Sequence, residues 1–366
     1  MNKLKLGEIV QFNPQESIKK GFVAKKIPME KLLPYTKKIS GFDKVKYLAG
    51  PKFRNGDTLL AKITPCLENG KTAFVDILNE DEVAFGSSEF IVLRAINPIS
   101  DKNYIYYLAR SPKFRNRAIG CMEGTSGRKR VNEKSLQNEV FVLPDLPTQS
   151  AIAGVLSSLD DKIELNNKIN KELDDLAKTI YEYWFVQNAD EKWERVKIGE
   201  LLKKYMDKSL RINARNILKE GDHPVITQDV GDLIKGYTNE ENPISDLPAI
   251  IFGDHSCTVR YINFPFFRGA DGTQVLYFKN EKITNYVYFC LCKLIPNLPN
   301  FGKFERHFKY LKDLEISIPS IRFLEKFNKT VAPIFEQIFK KRQESTHLAH
   351  LRDWLLPMLM NGQVSV

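Results

Sequence analysis

The sequence is short of cysteine and histidine, with five of each in 366 residues. The cysteines (Cys66, Cys121, Cys257, Cys290 and Cys292) are odd in number and contain no CxxC pair. That argues against a disulfide framework and against a structural zinc. His347 and His350 have the spacing of two helical ligands but no third partner, which reads as a solvated helix face. No metal site is expected. There is no GxxxxGK[ST] loop and no GxGxxG. Long apolar runs are also missing: "YVYFCLCKLI" (286–295) is short and carries Lys293, too little to span a membrane. The N-terminus "MNKLKLGEIVQF" has no signal-peptide core, so a cytoplasmic chain with no membrane partner is expected.

What is present is base and bulk. Lys and Arg outnumber Asp and Glu by 55 to 45, a formal charge of +10, with a pI near 9.1. That balance suits a polyanion such as nucleic acid. With 43% hydrophobic residues the chain can build real cores, and its length suggests two domains.

Internal repetition is the most informative feature. Adding 175 to each number places "GRKRVNEKSL" (127–136) on "GKFERHFKYL" (302–311) and Pro144 on Pro319. Adding 192 places "MNKLKLGEI" (1–9) on "WERVKIGEL" (193–201). The drop from 192 to 175 means that the second copy is 17 residues shorter inside its globular part. Each copy opens with short β-rich runs such as "DTLLAKI" and "PAIIFG", with turns at Asn55-Gly56, Asn69-Gly70 and Asp271-Gly272. Helical stretches "NYIYYLARSP" and "NYVYFCLCKLIP" follow. Each globular part is therefore expected to be α+β.

Each copy closes in a long amphipathic segment. Ile152, Leu156, Leu159 and Ile163 step by four and three, as do Leu173, Leu176 and Ile180, with a slip expected between the two runs. The second copy offers Val331, Ile334, Ile338, Leu348, Leu351 and Leu355. These thirteen residues are expected to pair the helices as an antiparallel coiled coil about a pseudo-twofold axis. Pro333 predicts a kink or a late start in the second helix.

At this point the sequence resembles the specificity (S) subunits of type I restriction–modification enzymes. The residues that carry the likeness are "VFVLPDLPTQSAIAGVLSSLDDKIELNNKINKELDDLAKTIYEYWF", the ending "LRDWLLPMLMNGQV" and "FRNGDTLLAKITPCLENGKTAFV". It covers essentially the whole chain, in two-copy order. It departs at Thr148-Gln149 and Phe323-Leu324, where the family often has an acidic residue before Gln, and at Pro333. The resemblance implies target-recognition domains at 1–145 and 191–320, with spacer helices at 146–190 and 321–366. Each domain would read one half of a split, asymmetric DNA site. The implied partners are double-stranded DNA, two methyltransferase subunits and, in the full complex, restriction subunits. S-adenosylmethionine, ATP and Mg2+ would sit on those partners, leaving this chain non-catalytic and without a cofactor of its own. The competing reading is a coiled-coil adaptor with two protein-binding domains.

DNA contacts are expected first in "GTSGRKRVN", at Thr125, Ser126, Arg128, Lys129 and Arg130, because Arg can bind guanine bidentately while Lys and Ser/Thr mostly meet phosphate. The repeat counterpart offers Lys303, Arg306, His307 and Lys309. Two further loops offer Lys62, Thr64, Asn69 and Lys71, and His255, Ser256, Thr258 and Arg260. Pro144-Asp145 followed by Asp160-Asp161-Lys162 matches a nuclease-like string, but its second group lies on the helix, so it reads as chance.

Overall fold

The computed structural model describes residues 2–125, 127–203, 211–270, 272–297 and 306–366. Ser126, Asp271 and Lys303 lie outside the described residues. Two units emerge, residues 1–165 with 344–366, and residues 166–343. Each long helix therefore contributes one segment to each unit.

In the first unit, continuous apolar strands make the centre of an antiparallel sheet ordered Val10–Phe12, Phe90–Ala95, Thr58–Ala61, Thr72–Phe74. Thr58–Ala61 is buried along its whole length, which is why its sequence does not alternate. A second four-stranded sheet contains one parallel pair, Val23–Ile27 beside Ala84–Gly86. The helix Lys102–Arg110 is capped by Asp101, whose carboxylate accepts from the Tyr104 amide. It buries Tyr104, Tyr106 and Tyr107 in one core with Ile152, Leu156, Leu356 and Leu359.

In the second unit the same scheme is shorter. Its main sheet runs Val259–Ile262, Ala249–Gly253, Thr273–Leu276, and a second sheet holds the parallel pair His223–Ile226 and Phe267–Arg268. The repeat offsets reappear as strand register. Asn2 pairs with Leu143 and Lys5 with Val140, while Glu194 pairs with Ile318 and Lys197 with Glu315. Glu133–Asn138 and Phe308–Asp313 are both helices at the 175-residue offset.

The central helix (Leu146–Glu182) starts earlier than its apolar periodicity, because Asp145 caps it: the carboxylate accepts from the Thr148 amide at 3.0 Å. Thr148 thereby holds the Asp145 carboxyl below its ordinary range. Gln149, fully buried, accepts from the Asp101 amide and donates to the Ile99 and Pro144 carbonyls, tying this first turn to the start of the helix Lys102–Arg110. The C-terminal helix (Ile321–Met360) is continuous through Pro333, so the late start does not occur; Pro333 faces solvent.

The buried stripe differs from the expected seam in two ways. It passes through Gln149, Ile152, Leu156, Asp160, Asn166, Asn170, Ala177 and Tyr181 in steps that fit one helical face, so no slip is needed. On the C-terminal helix, Leu324, Phe327, Val331, Phe335, Arg352 and Leu356 are buried, each 175 residues from a buried position on the central helix. Leu176 is 48% exposed and Leu351 43%, and neither belongs to the seam. Their neighbours Ala177 and Arg352 hold those places, because position on the face decides burial and the most apolar residue of the turn need not have it. Leu159 is half-buried. Leu173, Ile180, Ile334 and Ile338 pack on the second unit's core and Leu355 on the first's, while Ile163 and Leu348 are half-buried. Within the first unit, Arg352 meets Asp160 and Lys162 meets Glu344. Within the second, Arg342 meets Asp174, and Trp184 lies 5.0 Å from Phe323. In both units the partners run in opposite directions along the two helices.

Candidate nucleic-acid interface

In the first unit two segments singled out in the sequence come together. Residues 62–71 form a tight loop with Gly70 at φ +71°, and Met122–Glu123 forms a short hairpin with Arg130–Val131. The Thr64 amide donates to the Lys129 carbonyl at 3.0 Å, and the Val131 amide to the Lys62 carbonyl at 2.9 Å. Gly124 and Gly127, both at positive φ, let the hairpin turn. Thr125, Arg128 and Lys129 are exposed there, and Asn69 is exposed on the neighbouring loop.

Other residues of this set are engaged by neighbouring groups of the same unit. The Lys62 ammonium lies 3.2 Å from Glu133. Lys71 donates to the Met29 carbonyl at 3.1 Å. Thr64 donates to Glu68 at 3.0 Å. Arg130 binds Glu89 through two hydrogen bonds of 2.9 and 2.8 Å, and this holds the Glu89 carboxyl below its ordinary range. These four side chains shape the loops that carry Thr125, Arg128 and Lys129.

Sequence reading passed over Tyr35. It stands 42% exposed beside this surface at φ +55°, its amide donating to the Gly70 carbonyl at 3.1 Å. The Arg115 guanidinium lies over its ring at 5.1 Å. A Cβ at position 70 would meet that ring at 2.5 Å, so Gly70 and Tyr35 fit together. An exposed aromatic with a stacked arginine suits contact with a nucleotide. The signal available in the sequence was the "PYTKK" turn, which has no periodicity to mark it.

In the second unit the turn 253–258 and the segment 306–309 are also joined. The His307 ring nitrogen Nδ1 lies 3.0 Å from the Asp254 carbonyl, and the Asp254 carboxylate accepts from the Phe308 amide at 2.8 Å. His307 is buried, so it is a joint of the fold and not a contact residue. Thr258 donates to the Gln228 carbonyl and exchanges a 2.9 Å hydrogen bond with Ser256. Arg260 donates to the carbonyls of Asp229 at 2.5 Å and Gly231 at 3.0 Å, clamping a loop. His255, Arg306 and Lys309 remain exposed, with the Lys309 ammonium over the Tyr310 ring at 4.5 Å.

Pro144-Asp145 and Asp160-Asp161-Lys162 do not converge as a nuclease site: Asp145 is a helix cap and Asp160 an ion-pair partner. Among the described residues, no group of three His, Cys, Asp or Glu is placed to hold a metal ion. Among them too, no helix is long and apolar enough to cross a membrane.

The comparisons with known proteins agree with this two-copy plan. The chain is 30% identical over 152 residues to the type I restriction enzyme EcoAI specificity subunit of Escherichia coli, covering 39% of this chain and 26% of that protein. It is 26% identical over 304 residues to the MjaIX specificity subunit of Methanocaldococcus jannaschii, covering 72% of this chain and 69% of that one. The crystal structure of a type I restriction–modification S subunit from M. genitalium shares the fold, with a TM-score of 0.60 at 18% identity over 98% of this chain and 95% of that one. The family model described as type I restriction modification DNA specificity domain matches twice, at residues 1–175 and 190–348. The chain belongs to the family of type I restriction–modification DNA specificity proteins.

Proposed function

We propose that this chain is the specificity subunit of a type I restriction–modification complex and reads a bipartite, asymmetric DNA site. Residues 1–145 and 191–320 each take one half of the site. Residues 146–190 and 321–366 pair as an antiparallel coiled coil about a pseudo-twofold axis, fix the gap between the halves and dock two methyltransferase subunits. The central helix has 37 residues, about 55 Å at the usual rise, enough to separate two readers by a helical turn of DNA, roughly 34–36 Å. The twofold match of the specificity family, one match per repeat, carries this reading. The net charge of +10 supports a DNA partner over a neutral protein partner.

Reading is assigned in the first half to Arg128, Lys129, Thr125, Asn69 and Tyr35, and in the second to His255, Arg306 and Lys309. The chain itself is non-catalytic. Methyl transfer with S-adenosylmethionine and cleavage with ATP and Mg2+ fall to methyltransferase and restriction subunits.

A genome-wide map of methylated adenines, with and without this gene, tests the proposal. Loss of one split, asymmetric motif is expected. Complementation with Arg128→Ala should then relax or abolish recognition in one half-site, and equal loss in both halves would remove Arg128 from the reading surface. No motif lost, together with a salt-insensitive protein partner, would favour the adaptor reading.

A further inference from the structure

Each unit packs one segment of each long helix in the same register but with different chemistry at one level. In the first unit, Asp160 on the central helix is 9% exposed and Arg352 on the C-terminal helix 6%. Their side chains form a direct ion pair. The Tyr107 hydroxyl donates to the other Asp160 oxygen at 2.6 Å. One residue further along, Asp353 accepts from Arg110 at 2.7 Å.

In the second unit the offset of 175 puts Phe335 where Asp160 stands, Ala177 where Arg352 stands and Lys178 where Asp353 stands. The matching helices "NYIYYLAR" and "NYVYFCLC" put Phe289 at the place of Tyr107 and Cys292 at that of Arg110. These residues also come together: Phe289 stacks on Phe335 at 5.8 Å, and Ala177 shares their core.

From this exchange we infer that the Asp160–Arg352 pair forces each long helix to take the other repeat's helix as its partner and forbids pairing with a second copy of itself. Suppose two central helices paired in the register of the native pair. Asp160 of each chain would then face Ala177 of the other, buried without its arginine. Arg110 would face Lys178 in place of Asp353. Two C-terminal helices would bury Arg352 against Phe335. Asp160 would then be a buried charge stripped of its arginine, which is strongly unfavourable, and Arg352 would keep only the Asp353 carboxylate of its own helix. Apolar residues throughout would not discriminate, since Ile152 and Leu156 correspond to Phe327 and Val331, all of them buried.

The functional consequence rests on the proposed reading of a split site. A self-paired assembly would bring two copies of one reader together and read a symmetric site. The buried pair keeps one reader of each kind in every pairing and so preserves asymmetry.

Charge reversal in the full-length chain tests the inference without DNA. Asp160→Arg and Arg352→Asp are prepared with tags of different length and refolded alone and as an equimolar mixture, and the species are read by native mass spectrometry. Alone, each variant buries two like charges and is expected to give little folded monomer. Mixed, the chains can exchange halves at the linker 188–192. The two altered positions then meet each other as an opposite-charge pair, and the native Asp160 of one chain meets the native Arg352 of the other. A two-tag dimer is expected, at a yield on the order of tenfold or more above a wild-type mixture. The chain carrying both reversals should refold as wild type does. Either single variant refolding alone to the wild-type species, or a mixture without two-tag dimer, would overturn the inference. Because no DNA is involved, that failure is separate from failure of the reader assignment, which the methylation map detects.

Discussion

At the same level of the same fold, the first unit of this protein holds its long-helix segments with charge and the second with aromatic rings. In the first, Lys37 is buried with its ammonium over the rings of Phe74, Tyr106 and Tyr107 at 5.2–5.8 Å and 2.9 Å from the Ser157 hydroxyl. Burial pulls the Lys37 pKa down, and Asp160 and Asp161 oppose that. Burial likewise works against the charge on Arg352, but Asp353 and Asp160 outweigh it and hold the guanidinium protonated. In the second unit, Phe335 lies face to face with Tyr261 at 4.0 Å and close to Phe289 at 5.8 Å. The backbone register is common to both, so the choice between charge and ring is not forced by the fold. Apolar packing is usually the more stabilising solution at such a place. What charge adds is selectivity of partner.

The comparison predicts different responses to truncation. Asp160→Ala leaves Arg352 buried beside an empty site and should cost about 3–5 kcal/mol in urea unfolding. Phe335→Ala should cost a similar amount, about 3–5 kcal/mol, through lost burial and a cavity. The distinction lies in coupling. Adding Arg352→Ala to Asp160→Ala should recover part of the loss, with a coupling of about 1–3 kcal/mol. Adding Ala177→Gly to Phe335→Ala should recover nothing. A first-unit cycle with no coupling would mean that Arg352 is sufficiently held by Asp353 alone, and the contrast between the two units would collapse.

How much of this was legible in the sequence follows the same division. The duplication, both α+β halves and both long helices could be read, because repeat offsets and helical periodicity are one-dimensional signals. The strand register at Asn2–Leu143 and Glu194–Ile318 follows the two offsets. The buried polar joint was not legible. In the sequence Asp160 reads only as part of a chance nuclease-like string, because its partners, Tyr107 and Arg352, are 53 and 192 residues away. The four–three spacing picks out Leu176, although Ala177 holds the buried place. In the candidate interface, the exposure of Thr125, Arg128 and Lys129 could be anticipated from the glycines and basic residues around them. The structural roles of Lys62, Lys71, Arg260 and His307 could not, since each depends on one distant carbonyl or carboxylate.

Acid should separate the units next, by a smaller effect. Burial tends to raise the Asp353 carboxyl, but Arg352 and Arg110 outweigh it and hold the carboxyl below its ordinary value. Glu16, pressed upward by burial, is likewise held low by Arg54 and Arg94. Such groups contribute stability above the unfolded carboxylate pKa, about 4, and that contribution is lost as pH falls through the lower folded value. In the second unit Lys235 holds Asp229 and Lys282 holds Glu325 below the ordinary range, but burial raises Asp174, with Arg342 opposing. The sign at Asp174 is opposite: protonation relieves the buried charge, and stability is gained as pH falls through the raised folded value. Hydrogen exchange measured at pH 7 and again near pH 3.5 should show greater loss of protection around residues 102–110 than around 284–294. Equal loss would mean that the ion pairs of the first unit are too well screened by water to matter.

The smallest effect sharpens where the seam lies. Leu176 and Leu351 stand at equivalent places in the two repeats, both turned to solvent, each beside a buried neighbour that differs in kind, Ala177 in one unit and Arg352 in the other. Leu176→Gln and Leu351→Gln should each change stability by less than about 0.5 kcal/mol, whereas Leu156→Ala on the buried stripe should cost about 2–5 kcal/mol. Both glutamine variants keep helix propensity nearly constant, so the measured change reports burial and little else. A loss at Leu176 as large as that at Leu156 would return the seam to the more apolar register, with Ala177 outside it. The correspondence of Ala177 with Arg352 would then fail, and with it the contrast between a charged and an aromatic joint. Two small changes would fix the register independently of any charge, so that the cost of removing Asp160 could be assigned to the pair itself.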